Sequence, residues 1–270
     1  MSLKHDDEQL LLALDDEAED DDRDLEAALT EGWRRFDKAV APMRRPLARV
    51  GVIDSPVGRL FIADGPRGIL SIHFMDGKGP APVELMRGKF DIVENQPSAD
   101  SIGAEIRNFV AGDREALKHQ VDLSLVESDF RRRALTKLLR VPIGSVVTYQ
   151  GLARALGAPD AQRAVGTAMG TDPIPIYVPC HRVIKSDLSI GNYGGGVERK
   201  LKLLRAEGFT VGSDLRVPER AVMGHQKTRI YCRPQCPAAK RADTGRMFIF
   251  ADSAKARGAG LRACKICHPT

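Results

Sequence analysis

The chain has 270 residues, 43% of them hydrophobic, which is room for about two domains with real cores and too apolar for a disordered protein. No run of about eighteen apolar residues occurs and the opening is acidic where a signal peptide would be basic, so we expect a soluble, cytoplasmic protein with no membrane association. The net charge of +5 hides a polarity: residues 1–30 hold twelve acidic against two basic residues, a balance of −10, and the other 240 carry +15. A body that basic suits either a polyanion partner, whose counterions it would release, or solubility alone.

In chain order, residues 1–24 are a charge run with little to pack, expected as an acidic, solvated and disordered tail. Residues 25–48 form an amphipathic helix and linker. Leu25, Ala28, Leu29, Trp33, Phe36 and Val40 recur at helical spacing between 24 and 40, with Trp33 as a packing anchor. Residues 49–129 make a sheet-and-helix domain. Strand-like runs there are broken by the turn sequences DSPVG and DGPRG, and a helix over 98–112 carries Ile102, Ile106, Phe109 and Val110.

Residues 130–210 read as helical. A helix ends before Pro142, Thr148 caps a second that stops at Gly157, and Asp160 caps a third. The last two form a helix-turn-helix pattern, whose second member often meets DNA. The third helix is small on one side through Ala161, Ala164 and Ala168, with Arg163 beside them. Spacing alone favours tight packing against another helix over close approach to another kind of backbone.

The run IYVPCHRVI places Cys180 before His181 and Arg182. A free cysteine after an apolar run behaves more often as a small hydrophobe than as a nucleophile, yet cationic neighbours favour the reactive thiolate. Both readings stand on the residues alone. The glycine loop GNYGGG that follows lacks the lysine and hydroxyl residue of a P-loop, and a helix with Leu201 and Leu204 on one face succeeds it.

After a linker over 211–223, residues 224–270 hold Cys232, Cys236, Cys264 and Cys267 as a C-x3-C and a C-x2-C pair. Two close pairs, each able to give two ligands from one turn, predict a tetrahedral zinc site. Two disulfides are the alternative, disfavoured by a reducing compartment. The fold class expected is therefore α+β: a small N-terminal sheet-and-helix domain, a helical helix-turn-helix-like active-site domain, and a small four-cysteine zinc domain.

Taken together, VTYQGLARALG, QRAVGTAMGTDPIPIYVPCHRVI and GNYGGGVERKLKLLRAEG resemble the O6-alkylguanine-DNA alkyltransferases over about residues 49–208. The resemblance implies irreversible, single-turnover DNA repair, with Cys180 accepting the alkyl group from a guanine rotated out of double-stranded DNA. It implies His181 as base through water, Glu207 as the group orienting His181, and Tyr149 as hydrogen-bond donor to the departing guanine. It assigns Ala164 and Gly166 to close approach along the minor groove and Arg163 to the gap left by the base. Gln150 and Ser186 would touch the strand, and Tyr193 would line the base pocket. Two departures stand out: Asp172 before Pro173, where the family has asparagine, and Gln162 in place of a smaller residue.

Residues 224–270, with YCRPQCPA and GLRACKIC, resemble the N-terminal zinc domain of the Ada protein. The resemblance marks Cys232 as a second acceptor, for methyl phosphotriesters; a purely structural zinc module is the other reading. The zinc domain follows the guanine-repair unit and no promoter-reading domain lies between them. A monomeric alkyltransferase is the leading expectation. The alternatives are a protein that binds alkylated DNA without removing the lesion, or a damage-responsive regulator.

Overall fold

The computed structural model describes residues 26–36, 45–76 and 82–269. The acidic tail expected over 1–24, and the ends of the helix expected over 24–40, lie outside them. Residues 26–36 are helical (α1), and within that helix Trp33 meets Phe36 edge-on, with ring centroids 5.9 Å apart.

The chain from residue 47 onward forms one compact unit. It begins with a four-stranded sheet in the order β3-β2-β1-β4, built from β1 (Leu47–Ser55), β2 (Gly58–Gly65), β3 (Gly68–Phe74) and β4 (Asp91–Glu94). The turn sequences read from DSPVG and DGPRG close the two antiparallel hairpins β1-β2 and β2-β3, whereas β4 joins β1 in parallel. A short helix, α2 (Pro82–Met86), precedes β4.

Helix α3 (Gln96–Val110) covers this sheet. It starts two residues earlier than the apolar spacing suggests because Asn95 caps it, accepting from the Ser98 N–H at 2.9 Å, and Pro97 suits the first turn. Ile102, Ile106 and Phe109 are fully shielded against Ile53, Leu60, Ile62 and Ile72. Each such side chain contributes roughly 1.5–3 kcal/mol of burial free energy.

Three further helices form the middle of the chain: α4 (Asp129–Leu138), α5 (Tyr149–Ala155) and α6 (Gln162–Gly170). Thr148 caps α5 as expected, its Oγ1 accepting from the Gly151 N–H at 2.9 Å. Asp160 does not cap α6. That helix begins with Ala161 at the cap position and no side-chain cap, and the Gln162 amide donates to the Pro159 carbonyl at 2.8 Å. Nor is the alanine stripe a single exposed face. Ala168 is fully buried and Ala164 exposed, so packing and open surface divide it.

Beyond α6 lie β6 (Val183–Ile184) and α7 (Val197–Ala206). The C-terminal module adds β7 (Val222–His225), β8 (Ile230–Cys232), α8 (Pro237–Arg241), β9 (Met247–Phe250), α9 (Ser253–Gly258) and β10 (Arg262–Ala263). This module is not strung on a tether. Residues 211–223, read from their glycine, proline and charge as a linker, are pinned: Ile190 N–H donates to Leu215 O at 3.0 Å and Val217 N–H to Leu188 O at 2.9 Å. Val217 and Ala221 are buried with Phe209 and Ile249.

The two halves share one sheet, in the order β10-β8-β7-β9-β5-β6, where β5 is Ser145–Thr148. Strand β9 pairs antiparallel with β5 through Ser145–Phe250 and Val146–Ile249, and β5 pairs in parallel with β6 directly after the CHR triplet. A turn at Thr244–Arg246 sits on α5, where Arg154 donates to Thr244 Oγ1 at 2.7 Å. The approach is close enough to need glycine at Gly245 and to leave little room at Gly151. A Cβ on Gly245 would fall 2.8 Å from the Ala155 nitrogen, and one on Gly151 would fall 3.1 Å from Thr244 O.

Phe250, whose backbone pairs with Ser145 across the joint, packs a side chain that is 1% exposed among Val222, Tyr231 and Leu261, and Phe250→Ala should cost about 3–5 kcal/mol. Because the sheet is continuous, denaturant titration read by thiol labelling should expose Cys180 and the C-terminal cysteines at one midpoint, lowered together in the variant. Two separated midpoints would contradict a single cooperative unit.

Candidate active site and metal centre

Cys180, His181 and Arg182 form a single 3-10 turn after Pro179, and all three are buried. The approach to this turn is strained. Ile176, a β-branched residue, is held at φ +80, in a left-handed conformation that costs on the order of 1–3 kcal/mol. The surroundings hold it there: Ile176 is 1% exposed, Val178 N–H bonds to Ile174 O at 3.0 Å, and Cys180 N–H bonds to Val178 O at 2.8 Å. The N-terminal sheet steadies the same segment, since Ile72 N–H donates to Pro173 O at 2.8 Å.

A buried carboxylate organises the turn. Glu207, fully shielded, accepts from Arg182 Nε at 2.9 Å and Nη2 at 2.7 Å, lies 2.8 Å from His181 Nε2, and accepts from the Gly144 N–H at 3.2 Å. Arg182 Nη1 is used by Val141 O at 2.6 Å. Burial alone would raise the Glu207 pKa, but His181 and Arg182 together outweigh it and hold the carboxyl at about 2. His181 goes the other way, its pKa lowered chiefly by burial and by the positive charges of Arg182 and Lys200, against the pull of Glu207. The ring is therefore neutral at pH 7. An ionised carboxylate only accepts, so Nε2 carries the proton and Nδ1, buried with no protein partner, keeps a free lone pair.

Cys180 itself is 4% exposed. The thiolate that its cationic neighbours suggested is not the resting form. Burial, and then the charge and hydrogen bond of Asp172, raise the thiol well above its ordinary pKa; Tyr193 and Lys200 counter only in part. The physical reason is that the Arg182 guanidinium is spent on Glu207. Lys200 is fully buried, donating to Val183 O at 2.6 Å, Ile190 O at 2.5 Å and Asn192 O at 3.5 Å, and burial lowers its pKa to about 8.

Two cavities meet at the sulfur. One, of about 260 Å³, is lined by Tyr149, Gly166, Met169, Gly170, Cys180 and Tyr193. The other, about 100 Å³, adds Asp172, His73 and Phe74. The Tyr193 hydroxyl lies 4.0 Å from Cys180 Sγ, and its ring packs edge-on against Phe74 at 6.3 Å. Arg199 closes the back of this wall: it sits 4.6 Å over the Phe74 ring and bonds Gly195 O at 2.8 Å and Asp76 at 2.6 Å. Tyr149 remains a protonated donor, its pKa raised by burial and by the Cys180 charge.

Tyr149 and Tyr193 thus border the cavity at the Cys180 sulfur, and Glu207 contacts His181, the next residue in the chain. Gly166 lies on the wall of the larger cavity, and Arg163 and Ala164 are exposed on the same helix. Gln150 is half-buried on α5 and Ser186 exposed beyond β6; neither touches the sulfur cavities. Sequence reasoning credited Arg182 with favouring the thiolate, where the structure spends it on Glu207, and passed over Lys200 as a working part. A signal was present for Lys200: with Leu203, Leu204 and Glu207 it falls at i, i+3, i+4 and i+7, so one buried helical stripe carries two charges that need partners.

In the C-terminal module the sulfurs of Cys232, Cys236, Cys264 and Cys267 all lie within 4.8 Å of one another. Zinc–thiolate bonds of about 2.3 Å set tetrahedral sulfurs roughly 4 Å apart, so the donor set fits one zinc ion. The four cysteines are free of disulfides. Backbone N–H groups of Ile266 and Arg233 donate to Cys264 and Cys267, each at 3.4 Å; among the described residues none does so to Cys232 or Cys236.

A thiol behind a helix-turn-helix, followed directly in the chain by a histidine paired to a buried glutamate and open to a tyrosine-lined cavity, defines a DNA-directed group-transfer protein. Residues 129–209 match the family model for the DNA binding domain of 6-O-methylguanine DNA methyltransferase, and residues 210–270 that for the metal binding domain of Ada. The methylated-DNA–protein-cysteine methyltransferase of Rattus norvegicus is 39% identical over 175 residues, 60% of this chain and 82% of that one. The bifunctional transcriptional activator/DNA repair enzyme Ada of Escherichia coli is 32% identical over 59% of this chain and 45% of its own length. Mycobacterium tuberculosis OGT, solved in complex with DNA, superposes with a TM-score of 0.50 at 32% identity, covering 59% of this chain and 93% of that one. The chain belongs to the methylated-DNA–protein-cysteine methyltransferase family, with an Ada-type zinc domain fused after the repair unit.

Because Glu207 is held at about 2 against an ordinary 4.5, its contribution to stability is fully present above pH 4.5 and lost as pH falls toward 2. Denaturation free energies should therefore fall less steeply across that window in Glu207→Gln than in the native protein. Arg182→Ala, which strands the carboxylate, should cost about 3–5 kcal/mol at pH 7. Equal acid slopes for native and Gln variant would contradict the assignment.

Proposed function

We propose that this protein repairs double-stranded DNA by moving the O6-alkyl group of a guanine irreversibly onto Cys180. The observation that carries the reading is the single thiol at the junction of two cavities, walled by Tyr149 and Tyr193, beside the exposed face of α6. A base inside the duplex cannot reach that depth. The guanine has to leave the stack, at a cost of about a few kcal/mol, with Arg163 occupying the gap and Ala164 and Gly166 allowing the backbone close. Gln150 and Ser186 hold the strand and Tyr193 lines the base pocket.

In the transfer, Sγ attacks the alkyl carbon, the C–S bond forms and the bond to O6 breaks. The thiol proton leaves toward the lone pair of His181 Nδ1 by way of water, with Glu207 fixing that tautomer. Tyr149 donates to the purine as it departs. The thioether has no route back, so each molecule acts once. The reading extends to a monomer working in the cytoplasm.

For the zinc domain we favour Cys232 as a second acceptor, for methyl phosphotriesters. Zinc, when bound, keeps a ligating sulfur as a nucleophilic thiolate. An N–H···S bond withdraws electron density, so Cys264 and Cys267 are quietened by their backbone donors while Cys232 is not. Cys232 also borders a cavity of about 490 Å³ with apolar walls at Ile230, Ala239, Met247 and Ile266.

Incubation with duplex DNA carrying O6-methylguanine should add one methyl mass to the peptide holding Cys180, and Cys180→Ala should lose the mass while still binding DNA. Tight lesion binding with no mass change in the native protein would favour a damage-binding protein instead. Duplex DNA carrying methyl phosphotriesters should label Cys232 only in zinc-loaded protein; persistent absence of label would leave the zinc domain structural.

A further inference from the structure

Between Pro173 and Pro179 the segment that leads to the reactive turn carries a single polar side chain, Tyr177. The others are apolar or proline, and apolar packing is non-directional, so they bury the segment without fixing how it is rotated. The segment is closed on itself by the Val178 N–H bond to Ile174 O at 3.0 Å, with the strained Ile176, at φ +80, inside the loop. Such internal bonds set its shape but not its place against the rest of the molecule. From outside, the Ile72 N–H bond to Pro173 O fixes the entry.

Tyr177 supplies the hold at the exit. Its hydroxyl donates to Glu105 Oε2 at 2.7 Å, which ties the residue after Ile176 to α3. Glu105 is itself well braced. The same oxygen accepts from the Lys118 N–H at 2.7 Å and the His119 N–H at 3.1 Å, and Oε1 lies 2.9 Å from His119 Nδ1. The chain just beyond is stapled to β3 in turn, the Ile69 N–H donating to Gln120 O at 2.8 Å.

Tyr177 is buried and the Glu105 side chain is 17% exposed, so little water competes for the bond. Burial alone would raise the Glu105 pKa, yet the hydrogen bonds from Tyr177 and the two backbone N–H groups outweigh it and hold the carboxyl below its ordinary value. Burial and the Glu105 carboxylate raise the Tyr177 phenol. The pair is therefore a neutral donor on an ionised acceptor, which is the stronger kind of hydrogen bond.

We propose that Glu105 is a positioning residue for the transfer at Cys180: through the Tyr177 hydroxyl it holds the strained approach in the arrangement that presents the sulfur to the cavity. This rests on the alkyl-transfer reading above. Glu105 borders neither sulfur cavity, so it acts at a distance, through Tyr177 and the three residues of chain that lead from it to Cys180. The N-terminal domain thereby takes part in the reaction without touching the reacting atoms.

The test is the single-turnover rate of methyl transfer at saturating O6-methylguanine duplex DNA in the full chain, alongside affinity for the same duplex read in a Cys180→Ala background. Tyr177→Phe keeps the ring and removes only the hydroxyl. Its rate should fall by about ten- to a hundredfold, the scale on which a displaced reacting group slows a reaction, while affinity stays within about twofold of the Cys180→Ala parent. A bond that only stabilised the fold would lower the unfolding midpoint and leave this rate untouched. Glu105→Ala should slow transfer by a similar factor, and Glu105→Gln, which still offers the hydroxyl an acceptor oxygen, should recover most of that loss. Combining Glu105→Ala with Tyr177→Phe should be no slower than the slower single variant, because both remove one bond. A native rate in Tyr177→Phe, a loss carried by affinity instead of rate, or losses that multiply in the double variant would each overturn the role of Glu105. No transfer by the native protein would instead sink the alkyl-transfer reading beneath it.

Discussion

A single buried negative charge holds this site in order. Glu207, at the end of α7, is shielded from solvent yet ionised, because Arg182, His181 and the Gly144 N–H each spend a donor on it. Removing Arg182 would leave this buried charge without its full counter-charge, and together the three donors tie α7, the CHR turn and the residue before β5 to one another. The same contact settles the chemistry of His181: with its Nε2 proton committed to Glu207, only Nδ1 is left to face a proton. Arg182, which a reader of the sequence would credit with activating the thiol, is consumed in stabilising the carboxylate. The sulfur therefore rests as a thiol, and its activation needs a base at the moment of attack.

The sheet gives that arrangement a frame. Strand β5 stands between β6, which follows the reactive turn, and β9, which belongs to the four-cysteine module. The zinc domain is thus a lateral extension of the repair unit rather than a second bead on a string. The segment between them is stitched to the loop after β6. The metal centre and the reactive cysteine share one hydrogen-bonded scaffold, although each has its own cavity and its own donors.

Much of this was legible from residues that act locally. Turn signals in DSPVG and DGPRG, the Thr148 cap and the four-cysteine spacing each depend on a few neighbouring residues, and the structure shows them as read. What escaped was set by distance along the chain. The pairing of Ser145 with Phe250 joins residues more than a hundred positions apart, and nothing in a four-residue strand announces its partner. Asp160 looked like a cap because its type is right, but the helix starts one residue later, with Ala161 at the cap position. The stripe Ala161, Ala164, Ala168 was divided because a helix wedged between core and solvent must turn one of its small faces inward. Ile176 gave no warning of its positive φ, since the strain is imposed by the packing around it. Residues 211–223 had the composition of a tether, and only tertiary contacts with Phe209 and Ile249 bury Val217 and Ala221. For the site, Tyr149 and Tyr193 border the cavity at Cys180 and Glu207 contacts His181, while the groups that shift their charges, Arg182, Lys200 and Asp172, act through burial that a sequence does not print.

The claim on which the account turns is that burial keeps His181 neutral against the pull of Glu207, while the contact with Glu207 fixes its proton on Nε2 and leaves a lone pair on Nδ1. Nitrogen-15 NMR of the His181 ring in the intact protein near pH 7 reads this directly. The account predicts one protonated nitrogen, Nε2, and an unprotonated Nδ1. An imidazolium at neutral pH, or a proton on Nδ1, would contradict it.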